Sequence, residues 1–100
     1  MAFEVSHKDA NLERLERDAD FTGGYSEAIV KAFRRRMWLI RNAADERDFR
    51  ALKSANFEKL QGERAHQHSM RLNDQWRLIL EITGKGTSKQ LLVVGIEDYH

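Results

Sequence analysis

The sequence predicts an α+β domain, with helices in the first half and an antiparallel sheet in the second. Two observations carry this. Up to about residue 45, apolar residues recur every three or four positions; from Phe57 the period is two. The charges also thin along the chain: residues 1–50 hold 10 basic and 10 acidic side chains, residues 51–100 only 7 and 6. Helices followed by strands joined through short turns fit a segregated α+β arrangement rather than alternating βαβ units. At 100 residues the chain is expected to form one domain, 1–100.

Each element has a local reason. Ala2 to Ser6 reads as a short strand, with Phe3 and Val5 alternating against Glu4. Asp9 to Asp18 reads as a helix with Leu12 and Leu15 inward, and Ser6-His7-Lys8-Asp9 as a capping box at its start. Gly23-Gly24 breaks the chain. Ser26 to Ala44 is the strongest helix: Ile29, Ala32, Phe33, Met37, Ile40 and Ala44 make one apolar stripe. Asp45 to Ser54 holds a short helical turn carrying Phe49 and Leu52. His68, Met70 and Leu72, then Trp76, Leu78, Leu80 and Ile82, mark two alternating strands. Thr83 to Thr87 turns the chain, and Lys89 to Ile96 is apolar enough to lie inside the sheet.

The link between the alternating strands sets their register. A two-residue Asn73-Asp74 turn would put Met70 opposite Arg77 and Leu72 opposite Gln75, apolar against polar. A three-residue loop, Asn73-Asp74-Gln75, puts Leu72 opposite Trp76, Met70 opposite Leu78 and His68 opposite Leu80. Only the second gives one coherent apolar face. It also sets Arg71 opposite Arg77 on the other face, where like charges repel. Three arrangements answer that repulsion: solvation, pairing with Glu81 or Glu58, or a bound anion such as a phosphate or an acidic partner.

Composition narrows the function classes. With 17 Lys+Arg against 16 Asp+Glu, the net charge of +1 excludes a strongly basic nucleic-acid coat. Zero cysteines exclude disulfides, thiolate metal sites and a cysteine nucleophile, and suit a reducing cytoplasm. No apolar run approaches the roughly 20 residues of a membrane span, and the N-terminus lacks the basic-then-apolar pattern of a signal peptide. His66-x-His68 has a spacing open to a metal, but no third ligand is evident and no metal is expected. Trp76 reads as core, Trp38 as core edge beside Met37, and Arg34-Arg35-Arg36 as a solvated face or an RNA contact.

Three blocks occur in order: Leu60-Gln61-Gly62-Glu63-Arg64; then Ser69 to Leu78, reading SMRLNDQWRL; then Glu97-Asp98-Tyr99-His100 at the end. Together they resemble the HigB-type toxins of the RelE/ParE superfamily, whose pattern is roughly L-K-G-x-R, S-I-R-[IV]-N-x-x-W-R-[IL] and a terminal D-Y-H. The close match spans residues 57–100. The resemblance implies helices packed on one face of a small twisted antiparallel sheet. It implies the toxin of a type II toxin–antitoxin system, a metal-independent mRNA interferase that cleaves mRNA on the ribosome and inhibits translation. It also implies a cognate antitoxin, commonly a helix-turn-helix protein through which alone operator DNA is contacted. No cofactor and no membrane partner are implied. Some members carry a histidine where this chain has Glu58, and Gln61 replaces the lysine of the first block.

Metal-free RNA cleavage needs a base for the 2′-OH, cations for the phosphorane and an acid for the leaving 5′-oxygen. On the resemblance, Arg71, Arg77, Asp98, Tyr99 and His100 are the catalytic candidates, and Lys59, Arg64, Arg71 and Arg77 the RNA-binding ones. Arginine forks match phosphate oxygens, and histidine titrates near neutrality. The rival readings are a ParE-like toxin that poisons DNA gyrase without chemistry, and a degenerate module that only binds an antitoxin.

Overall fold

The computed structural model describes residues 3–86 and 88–98. The expectations at Tyr99 and His100 lie outside that range. The element order is β1 (Phe3–His7), α1 (Ala10–Arg17), α2 (Glu27–Asn42), α3 (Glu46–Ala51), a 3-10 turn (Lys53–Ala55), β2 (Glu58–Lys59), a second 3-10 turn (Gly62–Arg64), β3 (Gln67–Arg71), β4 (Trp76–Thr83) and β5 (Lys89–Asp98). The five strands form one sheet in the order β1-β5-β4-β3-β2. The α+β class holds. Four of the strands are antiparallel neighbours as expected, whereas β1 runs parallel to β5, so the sheet is mixed. The reason is connectivity: after β1 the helices cross one face, and the chain returns to the sheet so that its last strand, β5, runs alongside β1 in the same direction.

Local chemistry starts each helix. The Asp9 side chain accepts from the Leu12 backbone N–H, and Ser26 accepts from that of Ile29. Asp9 is therefore the cap of α1, and Ser6, expected to cap it, lies in β1. The carbonyls at and beyond the end of α1 are satisfied from another helix. Arg34 of α2 donates to the oxygens of Leu15, Asp18 and Phe21. Arg34 thus docks α1 on α2 and is not a solvated charge.

The core forms where the helices meet the sheet. Leu12 and Leu15 of α1, with Ile29, Phe33, Met37 and Ile40 of α2, pack on Phe3, Met70, Leu78, Leu80, Leu91 and Val93. Phe49 joins through rings, stacked on Phe3 at 5.4 Å and edge-on to Phe57 at 5.3 Å. Ala43 rather than Ala44 closes the stripe of α2. Trp76 is half-buried against the core, edge-on to Tyr25. Trp38 is not core edge: it is 68% exposed.

The expected register of β3 and β4 is observed: His68 pairs with Leu80, Met70 with Leu78 and Arg71 with Arg77. The Leu72 N–H donates to the Trp76 carbonyl at 2.9 Å, and Asn73 Oδ1 accepts from the N–H groups of Gln75 and Trp76. Between β4 and β5 the register shifts. Leu80 pairs with Val93 and Ile79 with Gly95, so Val94 is the extra residue of a bulge. The bulge changes the parity of β5. Leu91 and Val93 face the helices before it and Ile96 after it. Glu97 therefore falls beside Arg77 on the opposite face.

Phe33 is fully buried at the centre of this core, so Phe33→Ala should lower stability by about 3–5 kcal/mol in chemical denaturation. Acid should also unfold the protein in a defined window. Burial pushes the Glu16 carboxyl up, but hydrogen bonds and charge from Arg41 and His7 outweigh it and hold the group below 4.5. A hydrogen bond from Lys89 lowers Glu46, and the Arg47 side chain and backbone pull Asp45 to about 2. A depressed native pKa gives stability that is complete above the unfolded value and lost as pH falls through the native one. Stability should therefore decline from about pH 4.5 towards pH 2. Glu16→Gln should flatten part of that decline in melts run across the same range.

Candidate active site

The face of the sheet opposite the helices carries Arg71, Arg77 and Glu97 in one cross-strand row. The two arginines are not equivalent. Arg77 is 6% exposed. Its Nη1 donates to the Asn56 carbonyl at 3.1 Å, and its Nη2 lies 3.8 Å from Glu58. Asn56 is the only non-glycine residue with a left-handed backbone among those described, at φ 42°. That conformation, which asparagine tolerates better than most residues, turns its carbonyl onto Arg77. Arg71 is exposed and pairs with Asp74, itself 94% exposed. Arg36 of α2 donates to the Arg71 carbonyl at 2.9 Å and to that of Ser54 at 3.0 Å.

Together Asn56, Arg71, Asn73, Asp74 and Arg77 line an open pocket of about 220 Å³. Next to it, Arg64 forms a two-pronged bond with Glu97, at 2.9 and 2.8 Å, and its Nε donates to Gln67. That bond raises the pKa of Arg64. Thus Arg64, Arg71 and Arg77 alternate with Glu97, Asp74 and Glu58. Of the three answers to like-charge repulsion, pairing with Glu58 is the one seen at Arg77. Glu81 instead accepts from Gln67 and lies 3.7 Å from His66.

The other candidates divide. Asp98 pairs in register with Trp76 and accepts from Gln75 Nε2 at 3.0 Å. It reaches the end of β5 beside the arginine row, but on the face Trp76 shares. Lys59 pairs with His68, three residues along β3 from Arg71, and so lies on the other face of the sheet, away from the arginine row. His66 and His68 do not share a strand: His66 precedes β3, while His68 stacks on Phe57 at 4.8 Å. Burial, then the charges of Arg50 and Lys59, hold the His68 pKa down.

The fold agrees with the comparisons. Residues 5–100 match the family described as the RelE-like toxin HigB of type II toxin–antitoxin systems. The chain belongs to the HigB-like toxin family. A solved structure of a YoeB/ParE toxin from Agrobacterium tumefaciens is similar in fold, with a TM-score of 0.59 at 17% identity, covering 98% of this chain and 100% of that one. Among curated proteins no sequence match is found. The toxin has no helix, among the described residues, long and apolar enough to cross a membrane.

One residue lining the toxin's pocket and one bracing it from α2 escaped the sequence. Asn56 carries no motif; an asparagine after Lys53-Ser54-Ala55 is at most a left-handed stop signal. Arg36 was legible only as one of three adjacent arginines, which the helix sends in different directions.

The unequal burial separates the two arginines in a stability measurement. Arg71→Ala removes an exposed pair and should change stability by less than about 0.5 kcal/mol. Arg77→Ala leaves the Asn56 carbonyl without its donor and should cost about 1–3 kcal/mol. Equal urea midpoints for the two variants would show that Arg77 is not held as described.

Proposed function

We propose that this toxin is a ribosome-dependent, metal-independent mRNA endonuclease of the cytoplasm, neutralised by a cognate antitoxin that also binds operator DNA. The observation that carries the reading is the pocket between Arg71 and Arg77. Arg77 is oriented in advance by Asn56 and Glu58. Among the described residues the Arg71 side chain is bound only to the exposed Asp74, a weak partner that a phosphate displaces readily. One fixed and one exchangeable guanidinium suit an anion that gains charge during reaction.

The chemistry that fits is attack of a ribose 2′-oxygen on the adjacent phosphorus, with expulsion of the 5′-oxygen. The two arginines take the equatorial oxygens of the phosphorane. His100 removes the 2′ proton or returns one to the leaving oxygen, Asp98 orients it, and Tyr99 stacks on a base. These three roles rest on the family resemblance. Arg64 holds the strand beside the pocket, whereas Lys59 lies on the other face of the sheet and takes no part in this step. The openness of the pocket is the reason to involve the ribosome. A shallow site grips one phosphate without aligning the neighbouring nucleotides, and that alignment is a large part of the barrier. The acidic or helical segment of an antitoxin would neutralise the same positive row.

The test is cleavage of mRNA on programmed ribosomes, read as new 5′ ends, beside a thermal melt. Arg71→Ala should cut the rate about 100- to 1,000-fold with little change in the melt. Removing His100 should change stability by less than about 1 kcal/mol and lower cleavage about 100- to 10,000-fold. Intact mRNA with the native toxin, together with breaks in DNA from gyrase, would replace this reading with the gyrase-poison one.

A further inference from the structure

The near-neutral net charge conceals a polar distribution. Residues 9–20 hold Asp9, Glu13, Glu16, Asp18 and Asp20 against Arg14 and Arg17. Around the pocket the arginines are paired with Glu97, Asp74 and Glu58. Burial, then the charges of Arg35 and Arg71, lower the pKa of Arg36, so both of those guanidiniums lie within electrostatic reach of Arg36. Arg36 is anchored on the carbonyls of Arg71 and Ser54. Arg35 is exposed and, among the described residues, makes no ion pair or hydrogen bond. An uncompensated cation beside another is an unfavourable arrangement unless an anion visits it.

Trp38 adds the second observation. Among the described residues it is the larger of the two exposed large apolar side chains, and it stands on the outward face of α2 with Lys31, Arg35 and Asn42. At 100° per residue, Arg35 lies between Arg36 and Trp38 around the helix. The order from the pocket is therefore Arg71, Arg36, Arg35, Trp38. The arc is roughly 15 Å around a helix about 10–12 Å across, a few nucleotides of extended single strand.

We infer that this arc is a second RNA subsite: a single strand leaving the Arg71/Arg77 pocket crosses Arg36 and Arg35 and stacks a base on Trp38. The inference rests on the nuclease reading for what enters the pocket. Its ligand chemistry stands separately: alternating cations and an aromatic face suit single-stranded nucleic acid, because the backbone supplies anions and every base a flat face. An acidic amphipathic helix is the competing occupant, because Arg and Trp also anchor protein interfaces, and the test below separates the two.

The test compares two RNAs, a trinucleotide and a decanucleotide, by anisotropy at fixed salt, using native toxin, Trp38→Ala, Trp38→Phe and Arg35→Ala. Trp38→Ala should bind the decanucleotide about 5- to 100-fold more weakly, the loss expected for one stacked base, and bind the trinucleotide as the native toxin does. Trp38→Phe should recover most of the affinity. Arg35→Ala should weaken the longer RNA and reduce the salt slope by about 1. Equal binding of the decanucleotide by native toxin and Trp38→Ala would overturn the inference. So would loss of antitoxin binding in Trp38→Ala with RNA binding intact, which would assign the face to a protein. Native toxin that binds the decanucleotide through Trp38 but cuts no mRNA on ribosomes would keep the subsite and remove the nuclease reading.

Discussion

The row that sets Arg71 opposite Arg77 constrains the rest of the site. Two guanidiniums side by side on the sheet face away from the helices repel, and the protein does not separate them. It surrounds them with Glu58, Asp74 and Glu97, and turns the Asn56 carbonyl onto the more buried one. Each compensating group comes from a different segment: the 3-10 turn before β2, β2 itself, the β3–β4 loop and the end of β5. The site is thus assembled by the closure of the whole sheet. No single motif contains it.

The bulge at Val94 shows how closely sheet geometry and site are tied. Without the extra residue, β5 would keep one parity along its length, and Ile96 and Glu97 would exchange faces. Ile96 would then leave the core, and Arg64 would lose the carboxylate that it grips with both prongs. Gly95 follows the inserted residue and pairs with Ile79. The near-continuous apolar run of β5 is the sequence trace of this arrangement: inward positions are odd before the bulge and even after it.

The helical face has a different task. Arg34 and the Glu16–Arg41 pair fasten α1 to α2, and the apolar stripe of α2 covers the sheet. What remains outward on α2, Arg35 and Trp38, has no part in that packing. Adjacent arginines therefore do unrelated work: Arg34 closes a helix end, Arg36 braces the pocket, and Arg35 faces solvent. Runs of like charge on a helix hide such divisions, because each residue rotates by 100° from the last.

The sequence by itself determined the α+β class, the helix spans to within a few residues, and the pairing of Arg71 with Arg77. These follow from periodicity and loop length, which act locally, and one register alone kept the apolar side chains together. Its three ordered blocks also pointed to the toxin family that the comparisons show. Only the tertiary structure decided that β1 lies parallel to β5, that Arg77 is buried while Arg71 is open, and that Asp98 and Lys59 belong to rows on the far side of the strands. It also exposed Trp38, which one position of rotation from Met37 could not settle. Burial and the partner of a charge depend on segments far apart in the chain, and no local period encodes which of them will meet.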